Sequence, residues 1–331
     1  MSICLRRREF IPALGGAAAS WPLAVRAQQV VRRVGVLMPR TAESTSIGTV
    51  LKFLRDALQK LGWIEDRNLR LDVRYAAGDA NLFRSYAAEL VSLKPDVIVT
   101  GTEPATKAVQ QLTQTIPIVF IGPGDPVAAG IVKSVARPEG NATGITNGFS
   151  SIGGKRVQLL KEAVPRIERV ADLYSPQAEP QVGSSNSIEE AARSLGLQAI
   201  RIPYRNAVEF EHAIEAFAAE PNGGVIVEVS ALTDYPDQRL FGLMVEHQLP
   251  AIWAFGTYVA AGGLMSYGGN VGEIFSRAAS LVDRTLRGAK PADLPVEYPT
   301  KFDLIINLKA AKAIGITFPP TLRALADEVI E

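Results

Sequence analysis

The feature that most narrows the fold is an alternation that runs through the chain twice. Short apolar runs of strand length, bounded by turn residues, take turns with amphipathic segments of helical period. Val34-Gly35-Val36-Leu37-Met38 is apolar throughout between Arg33 and Pro39, as a strand buried on both faces of a parallel sheet requires. From Val50 the apolar positions Val50, Leu51, Leu54, Ala57, Leu58 and Leu61 follow the helical repeat, and Gly62 is placed to end that helix. Leu69, Leu71, Val73 and Tyr75 then alternate with Arg70, Asp72 and Arg74, which predicts a strand near a sheet edge with one wet face. Asp79 is placed to cap a helix ending near Leu93. Next come a strand over 97–99, a helix over 104–112, a strand over 118–121, a shorter helix over 127–136, and a strand near 143–145.

A second series begins near Gly153. It predicts a helix to Ala163, strands over 170–174, 198–202, 224–227 and 251–253, and helices over 187–195, 207–219 and 236–248. The stretch from Gln248 to Gly272 carries no charge, but Pro250, Gly256, Gly262, Gly263, Gly268 and Gly269 cut it into strand-length pieces. A membrane span needs ~18 or more continuous apolar residues, so a buried strand, a loop and a strand over 264–267 are expected instead. A helix over 273–286, a polar link over 287–299, a strand over 302–307 and a closing helix over 308–314 complete the chain. The fold class expected is α/β: two doubly wound, Rossmann-like lobes, each on its own parallel sheet. Ligands of such sheets sit outside the carboxyl ends of the strands, which places a binding cleft between the lobes.

The first 27 residues have a different grammar. A basic stretch, Arg6-Arg7-Arg8, leads into an apolar run broken by Pro12 and Pro22 and a small-residue exit at Val25-Arg26-Ala27. This is the order of a cleaved secretory signal, with cleavage expected after Ala27 and a periplasmic destination. Arg7-Arg8-Glu9-Phe10-Ile11 resembles the twin-arginine export motif. The full chain of 331 residues has 35 Lys+Arg and 34 Asp+Glu, a net charge of +1. Loss of the leader removes Arg6, Arg7, Arg8, Arg26 and Glu9, leaving 31 basic and 33 acidic residues and a formal charge of −2. Cys4, the one cysteine, leaves with it. No nucleic-acid partner is expected from that charge, nor a ligand-sensing repressor, since the leader stands where a DNA-binding module would precede the first strand.

Catalytic and cofactor motifs are not found. His212 and His247 sit on predicted exposed helix faces without a partner motif, so neither is expected to act as a base. Ser150 and Ser151 miss the nucleophile-elbow spacing by one residue. Gly153-Gly154-Lys155-Arg156 has Phe149 where a phosphate loop needs glycine and Arg156 where it needs Ser or Thr. Gly122-Pro123-Gly124-Asp125-Pro126 lacks the third glycine of a dinucleotide fingerprint. No cofactor, metal site or catalytic residue is therefore expected. Binding chemistry is what remains at the strand ends.

Thr102 and Glu103 follow a buried strand and open a helix, where amides and the Thr102 hydroxyl can meet a carboxylate or phosphate; Thr102 can equally cap its own helix. Asp125 can accept from a ligand ammonium or hold a turn before Val127. Arg40, Thr41, Ser44, Tyr174, Ser175, Glu228, Ser230, Phe255 and Tyr267 lie at other strand ends, and Asn147 and Phe149 lie where the chain must cross between lobes. Phe255 and Tyr267 can sandwich a flat ligand or belong to lobe cores.

Motifs spread along the chain add a family resemblance. Leu61-Gly62-Trp63, Tyr75-Ala76-Ala77-Gly78-Asp79, Pro95-Asp96-Val97-Ile98-Val99, Asp125-Pro126-Val127, Gly140-Asn141-Ala142-Thr143-Gly144, Gly263-Leu264-Met265-Ser266-Tyr267-Gly268 and Asn307-Leu308-Lys309-Ala310-Ala311-Lys312 carry it, with the leader and the segment from Leu286 to Pro295. Together they resemble the ABC-transporter substrate-binding family that includes tryptophan/tyrosine-binding receptors. The resemblance implies a type I periplasmic binding protein with a hinge of three crossings, near Asn147, near Gly268 and over 295–299. Lobe one would hold 30–146 plus 269–297, and lobe two 147–268 plus 298–331. Ser175-Pro176 and Glu228-Val229-Ser230 depart from the Asn-Pro and Pro-Asp of many relatives, so an aromatic amino acid does not simply transfer as the ligand.

The function expected is capture of a small organic solute, an amino acid or related carboxylate, by hinge closure, for delivery to an inner-membrane ABC permease. The protein is expected to be a monomer and not an enzyme. The rivals are a receptor feeding a membrane sensor and an exported enzyme using a carboxylate pair on the same scaffold.

Overall fold

Val34, Val36, Leu37 and Met38 are all but fully buried, and the strand they form lies second in a five-stranded sheet. The structure is a computed structural model describing residues 31–42, 45–122, 124–146, 149–174, 181–227 and 237–331, so the expected leader lies outside the described residues. The first series reads β1 (Arg32–Met38), α1 (Thr45–Lys60), β2 (Leu69–Tyr75), α2 (Ala80–Ser92), β3 (Val97–Thr100), α3 (Glu103–Gln110), β4 (Ile118–Ile121) and β5 (Ala142–Ile145). Its strands pair in the order β2-β1-β3-β4-β5, all parallel. The alternating strand β2 is at the edge, as its pattern requires. Asp79 caps α2 by accepting from the amides of Asn81 and Leu82.

The second series reads α4 (Phe149–Ala163), β6 (Arg169–Tyr174), α5 (Gln181–Ser194), β7 (Gln198–Pro203), α6 (Ala207–Ala218), β8 (Gly223–Val227), α7 (Asp237–Glu246), β9 (Ala251–Trp253), α8 (Gly256–Ala260) and β10 (Met265–Gly269). Then come α9 (Val271–Leu286), β11 (Phe302–Asn307), α10 (Leu308–Ala313), α11 (Pro320–Leu325) and β12 (Glu328–Ile330). The second sheet has seven strands in the order β12-β11-β10-β9-β8-β6-β7. In both sheets successive residues of the strands point to opposite faces, so each is covered on two sides. Val36 packs with α1 and α9 on one face and Leu37 with α2 on the other. Val170 packs with α4, and Leu173 with α6.

The chain passes between the sheets three times: after β5, between β10 and α9, and before β11. Helix α9 follows a strand of the second sheet yet buries Ile274, Phe275, Ala278, Leu281 and Val282 in the core of the first. Because β11 re-enters the second sheet from the side on which β10 leaves it, the two strands run antiparallel, an exception to the parallel sheet expected.

Other departures have local causes. The helix expected over 127–136 is a single turn: Asp125 accepts from the amides of Val127 and Ala128, and Gly130 then takes φ 68°. The loop expected after β9 contains α8, and α11 and β12 extend the second sheet beyond the last helix that was expected. The Gly153-Gly154 pair lies inside α4, in agreement with the helix expected from Gly153 to Ala163. Among the described residues no helix is long and apolar enough to cross a membrane. The uncharged stretch after Gln248 supplies β9, α8 and β10.

Candidate functional site

Each sheet contains the same topological reversal. In the first, β1 and β3 are neighbours whose connections leave in opposite directions; in the second, β6 and β8 are. A crevice opens at the carboxyl ends of such a pair, where the following loops part. In the first lobe it is bordered by Arg40 and Thr41 after β1 and by Gly101, Thr102 and Glu103 after β3, with the amide of Gly101 tied to the carbonyl of Leu37 at 3.0 Å.

Arg40 reaches out of this crevice to the other lobe. Its side chain is 6% exposed, and Nη1 donates to the phenol oxygen of Tyr258 on α8 at 2.5 Å. The guanidinium stands 5.6 Å from the centroid of the same ring. Tyr258 is itself held by Trp253 at the end of β9, stacked at 5.4 Å and 16°. Arg40 was one of the strand-end residues noted in the sequence; Tyr258 was not, because the segment carrying it was expected to be a loop. Phe255, at the start of α8, is half-buried and packs against the cores of both lobes.

Thr102 occupies the N-cap position of α3 with extended backbone, but its hydroxyl makes no capping hydrogen bond. Its carbonyl accepts from the Thr106 amide at 3.0 Å and hydroxyl at 2.7 Å, while Oγ1 is buried without a hydrogen-bond partner. The carboxylate of Glu103 is 7% exposed; Oε1 pairs with Lys107 Nζ at 2.7 Å, and Oε2 is buried without a hydrogen-bond partner. Of the two roles open to Thr102, the capping one is therefore not taken.

Asp125 is exposed and engaged in its turn: Oδ1 accepts from the amides of Val127 and Ala128 at 3.0 Å each. Tyr298, on the third crossing, has its phenol pKa pushed up, first by burial and then by the negative charge of Asp125. Tyr174 is half-buried with the Arg201 guanidinium 4.6 Å from its ring centroid. Tyr267 packs on the second-lobe core and stacks on Phe302 at 6.0 Å. Thr41 is half-buried. Ser44, Asn147, Ser175, Glu228 and Ser230 lie outside the described residues. His212 is exposed on α6 and His247 half-buried just past α7.

Arg156 on α4, which the sequence placed in a rejected phosphate motif, is fully buried beneath the cleft side of the second sheet. Its Nε donates to the carbonyl of Tyr267 at 2.9 Å and Nη2 to that of Ala254 at 3.5 Å, joining the ends of β10 and β9. Gly268 is packed so closely here that a Cβ would lie 1.8 Å from the Ala254 carbonyl oxygen.

The crossings are tied to one another. The amide of Thr146 donates to the carbonyl of Glu297 at 2.9 Å, and Arg277 holds the Glu297 carboxylate at 2.6 Å. Asn270 caps α9 through Oδ1 and donates through Nδ2 to Asp303 at 2.8 Å. Burial pushes the Asp303 carboxyl up, but hydrogen bonds from Lys301 and Asn270 outweigh it and hold the pKa below the usual carboxylate range. Among the described residues no group of three or more His, Cys, Asp or Glu side chains is placed to hold a metal ion.

Residues 34–330 match the family model described as ABC transporter substrate binding protein. A tyrosine-binding protein of Clostridioides difficile is 25% identical over 280 residues, covering 83% of this chain and 79% of that protein. An ABC domain in complex with L-Trp from Streptococcus pneumonia superimposes with a TM-score of 0.80 at 24% identity, over 91% of this chain and 100% of that one. The ligand-free, open structure of a substrate-binding protein with adhesive properties from Clostridium difficile gives 0.65 at 23% identity, over 91% and 99%.

Proposed function

The chain belongs to the ABC transporter substrate-binding protein family, and from that premise we propose that it is the extracytoplasmic solute-binding component of an ABC importer. It is exported on the leader over residues 1–27, captures an amino acid or a related carboxylate between its lobes, and closes around it. The closed form is what an inner-membrane permease would recognise. Lobe one is taken as 30–146 plus 269–297 and lobe two as 147–268 plus 298–331.

The observation that carries this reading is the bond from Arg40 to Tyr258. It joins the carboxyl end of β1 in one lobe to the segment after β9 in the other, across the space where two doubly wound sheets present their ligand-binding ends. A contact that requires the lobes to be together, on a scaffold joined by three crossings, is a contact that closure makes and opening breaks. The greater likeness to the L-Trp complex than to the ligand-free, open relative supports the same reading. Thr41, Thr102, Glu103, Tyr174, Phe255 and Tyr267 are proposed to line the ligand's space, with Ser44, Asn147, Ser175, Glu228 and Ser230. Asp125 shapes the loop after β4. The names of the relatives make aromatic amino acids the first solutes to try.

Thermal-shift screening followed by calorimetry on the exported protein is the test, with the twenty amino acids, organic acids, purines and sugars as probes. At least one amino acid is expected to bind in the micromolar range or tighter and to raise the melting temperature. A screen in which no probe binds would overturn the reading.

A further inference from the structure

Resting on the proposed capture of an amino acid, we infer that Glu103 and Thr102 form the seat for its α-ammonium group. The sequence alone pointed the other way, since a helix start with free amides suits a carboxylate or phosphate. The structure places a carboxylate there instead. Glu103 is the first residue of α3, its side chain is 7% exposed, and Lys107 satisfies only Oε1. Oε2 and the neighbouring Thr102 Oγ1 are both buried and have no hydrogen-bond partner.

Buried polar atoms nearly always find partners, and two adjacent ones that do not mark a place where a partner arrives from outside. The chemistry of that partner follows from what is unsatisfied. An ionised carboxylate only accepts, and the hydroxyl of the preceding residue can accept as well. The group that fits is one with several N–H donors and a positive charge, which describes a primary ammonium. An anionic group would meet the charge of Glu103 at close range in a desolvated crevice. The residue that the sequence offered for this role, Asp125, spends one oxygen on the amides of its own turn and stands exposed. The position of Glu103 is also right, because the crevice between β1 and β3 is where a sheet of this order takes its ligand. The ligand's carboxylate would then lie toward Arg40 or the second lobe.

The test compares amino acids with their desamino counterparts, for example L-tyrosine with 3-(4-hydroxyphenyl)propanoate and L-tryptophan with indole-3-propanoate, across the whole amino-acid series. Calorimetry of the wild-type protein is expected to show at least tenfold tighter binding of the amino acid than of its desamino partner. Glu103→Gln, which keeps the shape and removes the charge, is expected to lose at least tenfold for the amino acid and to bind the desamino compound as before. Should Glu103→Gln fail to fold, Thr102→Val keeps the volume without the hydroxyl and is expected to narrow the same discrimination. A folded variant that keeps wild-type discrimination overturns the inference, as does a wild-type protein that binds the desamino series equally well. A wild-type protein that binds neither series overturns the importer reading itself, so the two failures are distinct.

Discussion

Replacing Tyr258 by Phe isolates the bond between the lobes. The substitution removes one oxygen and leaves the ring, so the stack on Trp253 at 5.4 Å and the Arg40 guanidinium at 5.6 Å from the ring centroid both persist. What is lost is a hydrogen bond from a charged donor that is 94% shielded, since Arg40 is only 6% exposed. Bonds of that kind contribute about 1.5–3 kcal/mol, more than neutral ones, because the donor carries a charge and is shielded from water. Opening moves Arg40 into water, where it recovers hydration, so the loss falls on the closed state. The ratio of closed to open should drop by roughly ten- to 150-fold, and ligand affinity with it. The assay is distance measurement between dyes on Lys60→Cys in the first lobe and Glu215→Cys in the second, both exposed positions, in the protein after export. With Tyr258→Phe the mean separation at a fixed sub-saturating ligand concentration should lengthen, and the calorimetric Kd should rise by the same factor. The melting temperature of the free protein should move little, because Tyr258 belongs to the second lobe's core through its ring, which phenylalanine keeps. An unchanged distance distribution together with an unchanged Kd would refute the reasoning, and so would a large fall in melting temperature with no change in affinity, which would assign the hydroxyl to the stability of the second lobe and not to closure.

Asp303 predicts an acid limb to stability. Its pKa is held below the usual carboxylate range, so its ionised form stabilises the fold fully above the unfolded value near ~4 and the contribution disappears as pH falls through the lower folded value. Denaturation midpoints of wild type and Asp303→Asn should therefore differ by a constant amount at neutral pH and converge at strongly acidic pH; a gap that widens on acidification would contradict the assignment. Gly268→Ala would set a Cβ 1.8 Å from the Ala254 carbonyl oxygen, a backbone atom that cannot turn aside. Urea denaturation should show a loss of about 3 kcal/mol or more, at the upper end for single substitutions, and a loss below ~1 kcal/mol would mean the crossing yields easily. Asp125→Ala removes the acceptor for two amides and should lower stability by ~0.5–2 kcal/mol, as other lost caps do. Its ligand affinity should stay at the wild-type value, and a tenfold loss would return Asp125 to the list of ligand contacts.

The strands were legible because burial on both faces leaves a short apolar run that a turn residue ends on each side. Val34 to Met38 and Val225 to Val227 have no alternative use for an unbroken run of five or three residues without a polar side chain. Asp79 signalled a helix start by type and spacing and accepts from first-turn amides, whereas α9 begins two residues before the Glu273 expected, with Asn270 as its cap. The segment after Asp125 misled because its apolar residues keep helical spacing while Gly130 takes a left-handed conformation that ends the turn. The last strand was hidden for another reason. Glu328-Val329-Ile330 is too short to show a period, and it is a strand only because β11 offers it an edge.

The site divides along the same line. Position at a strand end is a local property, which is why Thr41, Thr102, Glu103, Phe255 and Tyr267 are legible in the sequence. The state of a polar atom is not local. Whether Asp125 or Glu103 is the free acceptor depends on which carboxylate oxygens the surrounding backbone consumes, and both residues sit just past a strand before a helical turn. Asp125 has amides two and three residues ahead within reach of its short side chain. Both residues are followed by a proline, Pro126 and Pro104, which has no amide to give, but the Glu103 side chain is one methylene longer and is buried with one oxygen on Lys107. The longer side chain and the lysine one turn on thus leave one Glu103 oxygen without a local partner, at the position where a ligand is proposed to supply one. Glu103→Asp would bring the carboxylate within reach of the amides two and three residues ahead, as Asp125 reaches its own, and on this reasoning it should weaken discrimination between an amino acid and its desamino counterpart without changing the charge of the site.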